Sequence, residues 1–281
     1  MQPGPDFIGL GAQRAGTSWI YSCLYEHPDI YAPVKEIHFF SRDAAWSRGY
    51  EWYESTFTNR PPNAKAGELS TSYLSSPKTP ERIKDCYPNA KLFVSLRNPV
   101  ERAYSNYLND LVAGRIKHGT YFSEALSSHP EYVDQGMYAT QLHRFQEHFP
   151  PGQILILVYE DSLSNPVEFI QRIYRFIGVD SSFVPSLVHS RVNKGRAPRF
   201  PSWDRLLRTT SYSLRKWGLN PLWWRIKKTG LSGMIRTLNT RQVNVDHRPS
   251  ASEQQKLYSL FENEISRLEQ SLERDLKEWR Y

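Results

Sequence analysis

Apolar residues cluster in short runs that are each long enough for one β-strand. The runs cover residues 6–11, 91–96 and 153–159. The second and third are apolar almost throughout, as in strands that helices cover on both faces of a parallel sheet. The pattern therefore predicts an α/β fold with a central, mostly parallel sheet flanked by helices.

Each run is followed by a segment with the residues that begin a helix. Residues 17–26 follow the first run across a glycine-bounded loop. Asn98-Pro99-Val100-Glu101 and Asn165-Pro166-Val167-Glu168 follow the other two, with Asn suited to the N-cap and Pro to the first turn. Strand, loop and capped helix in repeated succession are typical of βαβ units.

The C-terminal segment has the pattern of one long helix. Ser250 and Glu253 form a capping box, and apolar residues then recur every three or four positions as far as Trp279. We expect a helix over about 250–279 that packs its apolar stripe onto the sheet. The whole chain, 1–281, then reads as a single domain.

The composition narrows the class of protein. The chain has 281 residues, of which 39% are hydrophobic and 23% charged, which suits a globular protein with a sizeable core. No apolar run approaches the roughly 20 residues of a membrane-spanning helix. The first residues resemble no secretory leader, so we expect a cytoplasmic protein. Cys23 and Cys86 are too few for a disulfide scaffold or a cysteine-rich zinc site.

Positive charge is concentrated late in the chain. The net charge is +7, but residues 191–248 alone contain fourteen Lys and Arg against two acids. Four of the eight tryptophans lie among them, within 199–244. Two interpretations stay open: an irregular helical insertion whose tryptophans pack, or a lid or docking surface for an acidic acceptor or a membrane interface.

Residues 11–18, Gly-Ala-Gln-Arg-Ala-Gly-Thr-Ser, have the glycine spacing of a phosphate-binding loop between a strand and a helix. Such a loop turns backbone N–H groups towards an anion, and the helix N-terminus adds positive charge. Thr17 stands where a Walker loop requires Lys, which leaves Arg14 as the cation within the loop. The strand ends also lack a clear Asp for Mg²⁺. The loop therefore predicts a nucleotide phosphate site that works without a metal.

A second anion site is predicted after the next strand. Arg97 follows that strand directly, at the edge where open α/β sheets bind ligands. Ser105 lies about two helical turns further on and can offer its hydroxyl to the same group. Two phosphate sites that flank one nucleotide fit a 3′-phosphorylated adenine nucleotide.

In order and spacing, these motifs resemble the sulfotransferases that use 3′-phosphoadenosine 5′-phosphosulfate (PAPS). Residues 11–19 are similar to their 5′-phosphosulfate loop, and residues 96–105 to their 3′-phosphate motif. Residues 27–40 and 67–82 are similar to segments of the heparan sulfate glucosaminyl sulfotransferases and their bacterial relatives. The resemblance extends from about residue 7 to residue 178, and more loosely from 193 into the final helix.

The resemblance implies that a sulfuryl group passes in line from PAPS to a nucleophilic acceptor, without a metal. Arg14 takes the place of the family's loop lysine and neutralises charge on the leaving oxygen. The donor residues that the resemblance implies are Arg14, Ala15, Gly16, Thr17, Ser18 and Trp19 in the loop, Arg97 and Ser105 at the 3′-phosphate, and Lys194, Gly195 and Arg196 over the nucleotide.

The resemblance also assigns the acceptor side. Glu36 matches the family's general base, and a carboxylate is ionised at neutral pH without special tuning. His38 matches a site histidine and can share or replace that role. Glu68 and Tyr73 are assigned to acceptor binding, although Glu68 either positions a group nearby or pairs with an Arg of the phosphate loop.

Departures from the heparan sulfate enzymes leave the acceptor open. Leu69 replaces a lysine of their catalytic region, Ser41 replaces an acid, and their paired-cysteine loop is absent. A hydroxyl of a glycan, a lipid-linked molecule or a small-molecule natural product is expected, with an amine as the alternative.

Two other classes compete with a sulfotransferase. A P-loop kinase or ATPase with a degenerate loop would turn over ATP with Mg²⁺, which the missing Walker lysine disfavours. A non-catalytic protein that binds RNA or acidic membranes through residues 191–248 would show salt-dependent binding to polyanions. We expect a nucleotide donor and no nucleic-acid partner, with peripheral membrane contact through the tryptophan-rich segment as an accompanying prediction.

Overall fold

A five-stranded parallel sheet forms the centre of the computed structural model, which describes residues 4–117, 119–190, 196–198, 240–242 and 250–280. The strand order is β2-β3-β1-β4-β5. These strands are β1 Phe7–Gly9, β2 Ile30–Tyr31, β3 Lys65–Leu69, β4 Lys91–Leu96 and β5 Ile154–Val158. The α/β class predicted from the sequence is confirmed.

Helices follow the strands and connect them. The first group is α1 Thr17–Glu26, α2 Asp43–Trp46, α3 Tyr50–Glu54, α4 Thr79–Cys86 and α5 Pro99–Val112. The second group is α6 Phe122–Ser128, α7 Glu131–Asp134, α8 Tyr138–Gln146, α9 Tyr159–Ser164, α10 Pro166–Ile177 and α11 Ala251–Leu272. Short 3₁₀ turns cover Ser55–Phe57, Pro151–Gln153 and Lys277–Trp279.

The predicted helix caps are present. Asn98 Oδ1 accepts the backbone N–H groups of Val100 at 3.0 Å and Glu101 at 3.2 Å, which opens α5 directly after β4. Asn165 Oδ1 accepts the N–H of Glu168 at 3.1 Å at the start of α10. Each cap satisfies backbone donors that have no partner inside the helix, so these helices begin where the sequence predicts.

The hydrophobic core holds α1 against the sheet. Phe7 on β1 and Phe93 on β4 are fully buried, and Trp19 on α1 packs its ring 5.6 Å from that of Phe169 on α10. Burying a side chain of this size contributes about 1.5–3 kcal/mol. Because Trp19 Nε1 also donates to the carbonyl of Val188 at 3.1 Å, the first turn of α1 is fixed in place at the edge of the sheet.

The C-terminal helix has the predicted capping box between Ser250 and Glu253. The helix ends at Leu272, earlier than the apolar stripe predicts, and packs against α8. A separate 3₁₀ turn then buries Trp279, whose Nε1 donates to Glu160 Oε2 at 3.2 Å. None of the helices described combines the length and the hydrophobicity needed to cross a membrane.

The chain forms two compact units, and the second includes residues 107–117, 119–125, 196–198 and 240–242. In this unit, strands β6 Arg196–Pro198 and β7 Thr240–Gln242 pair antiparallel. The predicted tryptophan-rich insertion at 199–244 lies outside the described residues except for the backbone of β7. Its roles as a lid, an acceptor site or a membrane contact therefore stay predictions.

Candidate active site

The loop after β1 leads into the start of α1, which is the predicted anion site. Gly16 caps the helix with a φ of 76°, in the left-handed region, and a Cβ there would lie 2.8 Å from the ring of Tyr159. Only glycine fits this close approach. Within α1, Trp19 is the first residue whose N–H bonds back to the loop, at 2.9 Å to Gly16 O. The N–H groups of Thr17 and Ser18 have no acceptor within the helix, as helix N-termini require for anion binding.

The two predicted phosphate sites meet at this edge of the sheet. Arg14 has a φ of 70°, and its Nε donates to Ser105 Oγ on α5 at 3.1 Å. Arg97, which follows β4, donates through Nη1 to Arg14 O at 3.4 Å. Because β1 and β4 are neighbours in the sheet, residues 83 and 91 positions apart in the chain contact each other. Two guanidinium groups and a hydroxyl thus converge beside the start of α1.

Packing and hydrogen bonds hold Arg97 in this position. Tyr138 OH donates to the carbonyl of Arg97 at 3.0 Å. The guanidinium carbon lies 5.4 Å from the centre of the Tyr159 ring, within range of a cation–π contact. Arg97 Nη2 also reaches Glu101 Oε2, at 3.2 Å. Tyr159 therefore supports both Gly16 and Arg97, which links the helix N-terminus to the second anion site.

Glu36 sits in a loop that is tied to the end of β3. Its N–H donates to Leu69 O at 2.9 Å. Its carboxylate Oε2 accepts from the N–H of Thr71 at 3.0 Å and from Thr71 Oγ1 at 2.9 Å, while Oε1 accepts from Lys35 Nζ at 2.8 Å. Burial alone would raise the pKa of Glu36, but Lys35 and Thr71 outweigh burial and lower this pKa below its usual value. Glu36 is therefore an ionised carboxylate at neutral pH.

His38 continues the hydrogen-bond network from Glu36. Its Nε2 lies 3.1 Å from Glu36 Oε2, and its Nδ1 lies 2.7 Å from Ser72 Oγ. Ser72 Oγ in turn lies 2.6 Å from Ser41 Oγ. Burial lowers the pKa of His38, and the charges of Arg42 and Lys35 lower it further, against the opposing effect of Glu36. A neutral imidazole with its proton on Nε2, the nitrogen that lies beside Glu36, can accept from Ser72 at Nδ1.

Glu68 and Tyr73 are buried beneath this loop. Tyr73 OH donates to Glu68 Oε1, and Ser70 Oγ donates to Glu68 Oε2 at 2.7 Å. Ser70 Oγ also accepts the backbone N–H of His38 at 2.9 Å. Burial raises the pKa of Glu68 to about 7. Glu68 is 1% exposed and Tyr73 is fully buried. In this structure Glu68 is therefore connected through Ser70 to the backbone of His38 rather than open to solvent.

A family model described as a sulfotransferase domain matches residues 4–200. The chain belongs to the sulfotransferase family. A bacterial sulfotransferase from Alicyclobacillus acidocaldarius has a similar structure, with a TM-score of 0.71 and 26% identity over 99% of both chains. The five-stranded parallel sheet flanked by helices is thus the fold of this family, as the resemblance of the motifs implied.

Two curated relatives name the kind of sulfotransferase that the sequence resembles. Heparan sulfate glucosamine 3-O-sulfotransferase 5 of Mus musculus is 28% identical over 189 residues, which cover 64% of this chain and 55% of the relative. Bifunctional heparan sulfate N-deacetylase/N-sulfotransferase 3 of Homo sapiens is 29% identical over 200 residues, which cover 62% of this chain and 22% of the relative. The matched part of the sulfotransferase chain thus spans about half the length of the first relative and less of the second.

Part of the predicted site lies beyond the described residues of this sulfotransferase. Lys194 and Gly195, expected over the nucleotide, lie outside them, and Arg196 is placed only through its backbone in β6. The other predicted residues lie at the carboxyl edge of the sheet, on loops and the first turn of α1 or, for Ser105, in the second turn of α5, or they lie directly beneath this edge. Among the residues described, no three His, Cys, Asp or Glu side chains form a group that could hold a metal ion.

Sequence reasoning missed several residues of the sulfotransferase site. Lys35 pairs with Glu36. Thr71 donates to Glu36, and Ser72 is hydrogen-bonded to His38. Tyr159 packs on Gly16 and Arg97. A usable signal existed for Thr71 and Ser72, because polar residues just after a parallel strand lie at the ligand-binding edge. That signal depends on recognising β3, which the apolar pattern does not reveal.

Proposed function

We propose that this sulfotransferase transfers the sulfuryl group of PAPS to an acceptor hydroxyl, with Glu36 as the general base. The acceptor oxygen bonds to sulfur, and its proton passes to the Glu36 carboxylate. The S–O bond to the 5′-phosphate breaks, and its electron pair leaves with 3′-phosphoadenosine 5′-phosphate (PAP). Atoms and charge balance without a metal or a redox partner.

One arrangement carries the donor half of the proposal. Arg14, Ser105 and Arg97 converge within hydrogen-bond distances of 3.1 and 3.4 Å beside the N-terminus of α1. Two guanidinium groups and the backbone N–H groups of the first turn of α1 suit a nucleotide with phosphate groups at both ends. A guanidinium fork binds a terminal phosphate through two parallel hydrogen bonds, which is the role proposed for Arg97.

Three features support the acceptor half. Glu36 is ionised, lies at the same edge of the sheet as the donor residues, and contacts a neutral His38 that can relay or share the proton. Glu68 and Tyr73 act in this proposal as positioning residues, because Ser70 connects them to the His38 backbone. The acceptor is a hydroxyl of a glycan, a lipid-linked molecule or a small-molecule natural product. The alternative is an amine acceptor, which would change the acceptor but not the donor or the base.

Donor-dependent stabilisation tests the proposal. PAP at about 100 times its Kd should stabilise the protein by about 2.7 kcal/mol, which raises its melting temperature, whereas AMP should do so far less. Arg97→Ala should lose most of the PAP effect. The matched control is Arg175→Ala, because Arg175 is a half-exposed arginine that pairs with Glu168 on α10.

The same experiment separates the competing classes. Stabilisation by ATP with Mg²⁺ that exceeds stabilisation by PAP would favour a kinase or ATPase. Equal shifts with AMP and PAP, or an equal PAP effect in Arg97→Ala, would contradict the proposed 3′-phosphate site.

A further inference from the structure

Lys35 bridges the two halves of the site. Its Nζ lies 2.8 Å from Glu36 Oε1 and 3.3 Å from Ser18 Oγ. Ser18 is in the first turn of α1, where backbone N–H groups point at a bound anion. The ammonium group thus stands between the proposed base and the start of the helix that receives the reactive end of the donor.

The fold fixes this position. The backbone of Lys35 forms an isolated parallel bridge with Leu69, and Glu36 N–H donates to Leu69 O at 2.9 Å. The Lys35 side chain is 20% exposed, which is low for a lysine. The end of β3 therefore holds Lys35 at the site. Its ammonium group is less exposed to solvent than that of a typical surface lysine.

The other two cations of the site face a different way. Arg14 Nε donates to Ser105 on α5, and Arg97 donates to Arg14 O and to Glu101. Both arginines therefore lie towards β4 and α5, whereas Lys35 lies towards β3 and the carboxylate of Glu36.

We infer that Lys35 is a catalytic residue that binds the transferring sulfuryl group, an inference that rests on the proposed function. An ammonium group has three N–H donors, so Glu36 and Ser18 can occupy two while the third reaches a sulfuryl oxygen. As the acceptor oxygen bonds to sulfur and the S–O bond to the 5′-phosphate breaks, the proton goes to Glu36 and the electron pair leaves with PAP. Lys35 stays charged throughout and stabilises the oxygens of the sulfuryl group as it passes from the 5′-phosphate to the acceptor.

The affinities for PAPS and PAP, measured separately, test this inference without a known acceptor. PAP has the nucleotide and both phosphates but lacks the sulfuryl group, so only PAPS can gain from a contact between that group and Lys35. In Lys35→Met, we expect the Kd for PAPS to rise about tenfold by titration calorimetry, since one charge-assisted hydrogen bond is worth about 1.5–3 kcal/mol. The Kd for PAP should stay nearly unchanged.

Two further variants complete the experiment. Lys35→Arg keeps the charge and should recover part of the affinity for PAPS. Lys78→Met is the matched control, because Lys78 is an exposed lysine that pairs with Asp43 away from these contacts, and both affinities should stay as in the unmodified protein. Circular dichroism and melting curves establish that each variant is folded.

The outcomes separate this inference from the proposed function. Equal weakening of PAPS and PAP in Lys35→Met, or no weakening of either, would overturn the role of Lys35 and leave the proposed function in place. If the unmodified protein binds neither nucleotide, the proposed function fails and the inference fails with it.

Discussion

The loop after β1 and the loop that carries Glu36 reach the same edge of the sheet, but different contacts hold them. The donor side, which we define as residues 10–18 with Arg97 and Ser105, depends on a glycine, backbone N–H groups and the first turn of a helix. The base side, residues 35–38 with 70–72, depends on side-chain hydrogen bonds to the end of β3. Backbone groups therefore form most of the proposed anion site, whereas side-chain hydrogen bonds hold the proposed base in place.

Substitutions on the donor side and on the base side should have different effects. Glu36 and His38 have φ values of 62° and 56°, a left-handed conformation that costs a non-glycine residue about 1–2 kcal/mol. Thr71 N–H donates to the Glu36 carboxylate and Ser70 Oγ accepts the N–H of His38, and these hydrogen bonds offset that cost. Changes on the base side should therefore alter chemistry while donor binding persists, and changes on the donor side should weaken nucleotide binding.

Glu36→Gln should give the largest effect. Removing the base should lower the transfer of labelled sulfuryl from PAPS to acceptors in a cell extract by about 10²–10⁴-fold. Stabilisation by PAP should remain, because Glu36 belongs to the base side. Glu131→Gln, at an exposed acid on α7, is the matched control. Full activity in Glu36→Gln would mean that His38 or another group is the base. A parallel loss of PAP binding would contradict the division between the two sides.

Gly16→Ala should give the second largest effect, on the donor side. A Cβ at a φ of 76° is disfavoured by about 1–2 kcal/mol and would also press on Tyr159 at 2.8 Å. We expect a lower melting temperature and a PAP affinity about tenfold weaker, because the shifted loop misdirects its N–H groups. Gly152→Ala is the control, since its Cβ would meet no atom within 4 Å and its φ suits any residue. Normal PAP affinity in Gly16→Ala would mean that the loop geometry is not what binds the nucleotide.

The donor side could largely be predicted from the sequence because each of its parts can be recognised from neighbouring residues. Glycine spacing, the Asn98 cap and the apolar runs of β1, β4 and β5 are local patterns that the structure confirms. That Arg14 and Arg97 meet follows from the pairing of β1 with β4, which is the expected order of neighbours in such a sheet.

The base side could be predicted only through the family resemblance. β3 reads Lys-Ala-Gly-Glu-Leu, and its acid is buried only because Tyr53, Ser70 and Tyr73 satisfy it. Its glycine is required because a Cβ there would lie 2.4 Å from the ring of Phe7. Neighbouring side chains of an extended chain point apart. Lys35 can contact Glu36 because the φ of Glu36 is positive. The residue types alone do not predict this backbone conformation. The hydrogen bonds from Thr71 to Glu36 and from His38 to Ser70 join residues 35 and 32 positions apart, so no short window of sequence contains them.

Thr71→Val should give the smallest effect, and it tests one hydrogen bond of the base side directly. The variant keeps the N–H donor of residue 71 but removes the Oγ1 contact to Glu36 Oε2 at 2.9 Å. That contact is one of those that lower the pKa of Glu36, so the pKa should rise when it is lost. Because the base acts only when ionised, kcat/KM falls as the pH drops through this pKa.

The acidic limb of the profile of kcat/KM against pH should therefore move to higher pH in Thr71→Val, while activity at neutral pH stays nearly unchanged. Thr58→Val is the control, because the Oγ1 of Thr58 donates only to the carbonyl of Ser55 on an exposed turn. A uniform loss of activity at every pH, with the limb unmoved, would mean that Thr71 holds the position of the Glu36 loop rather than the charge of its carboxylate. That result would make the base side as dependent on backbone geometry as the donor side.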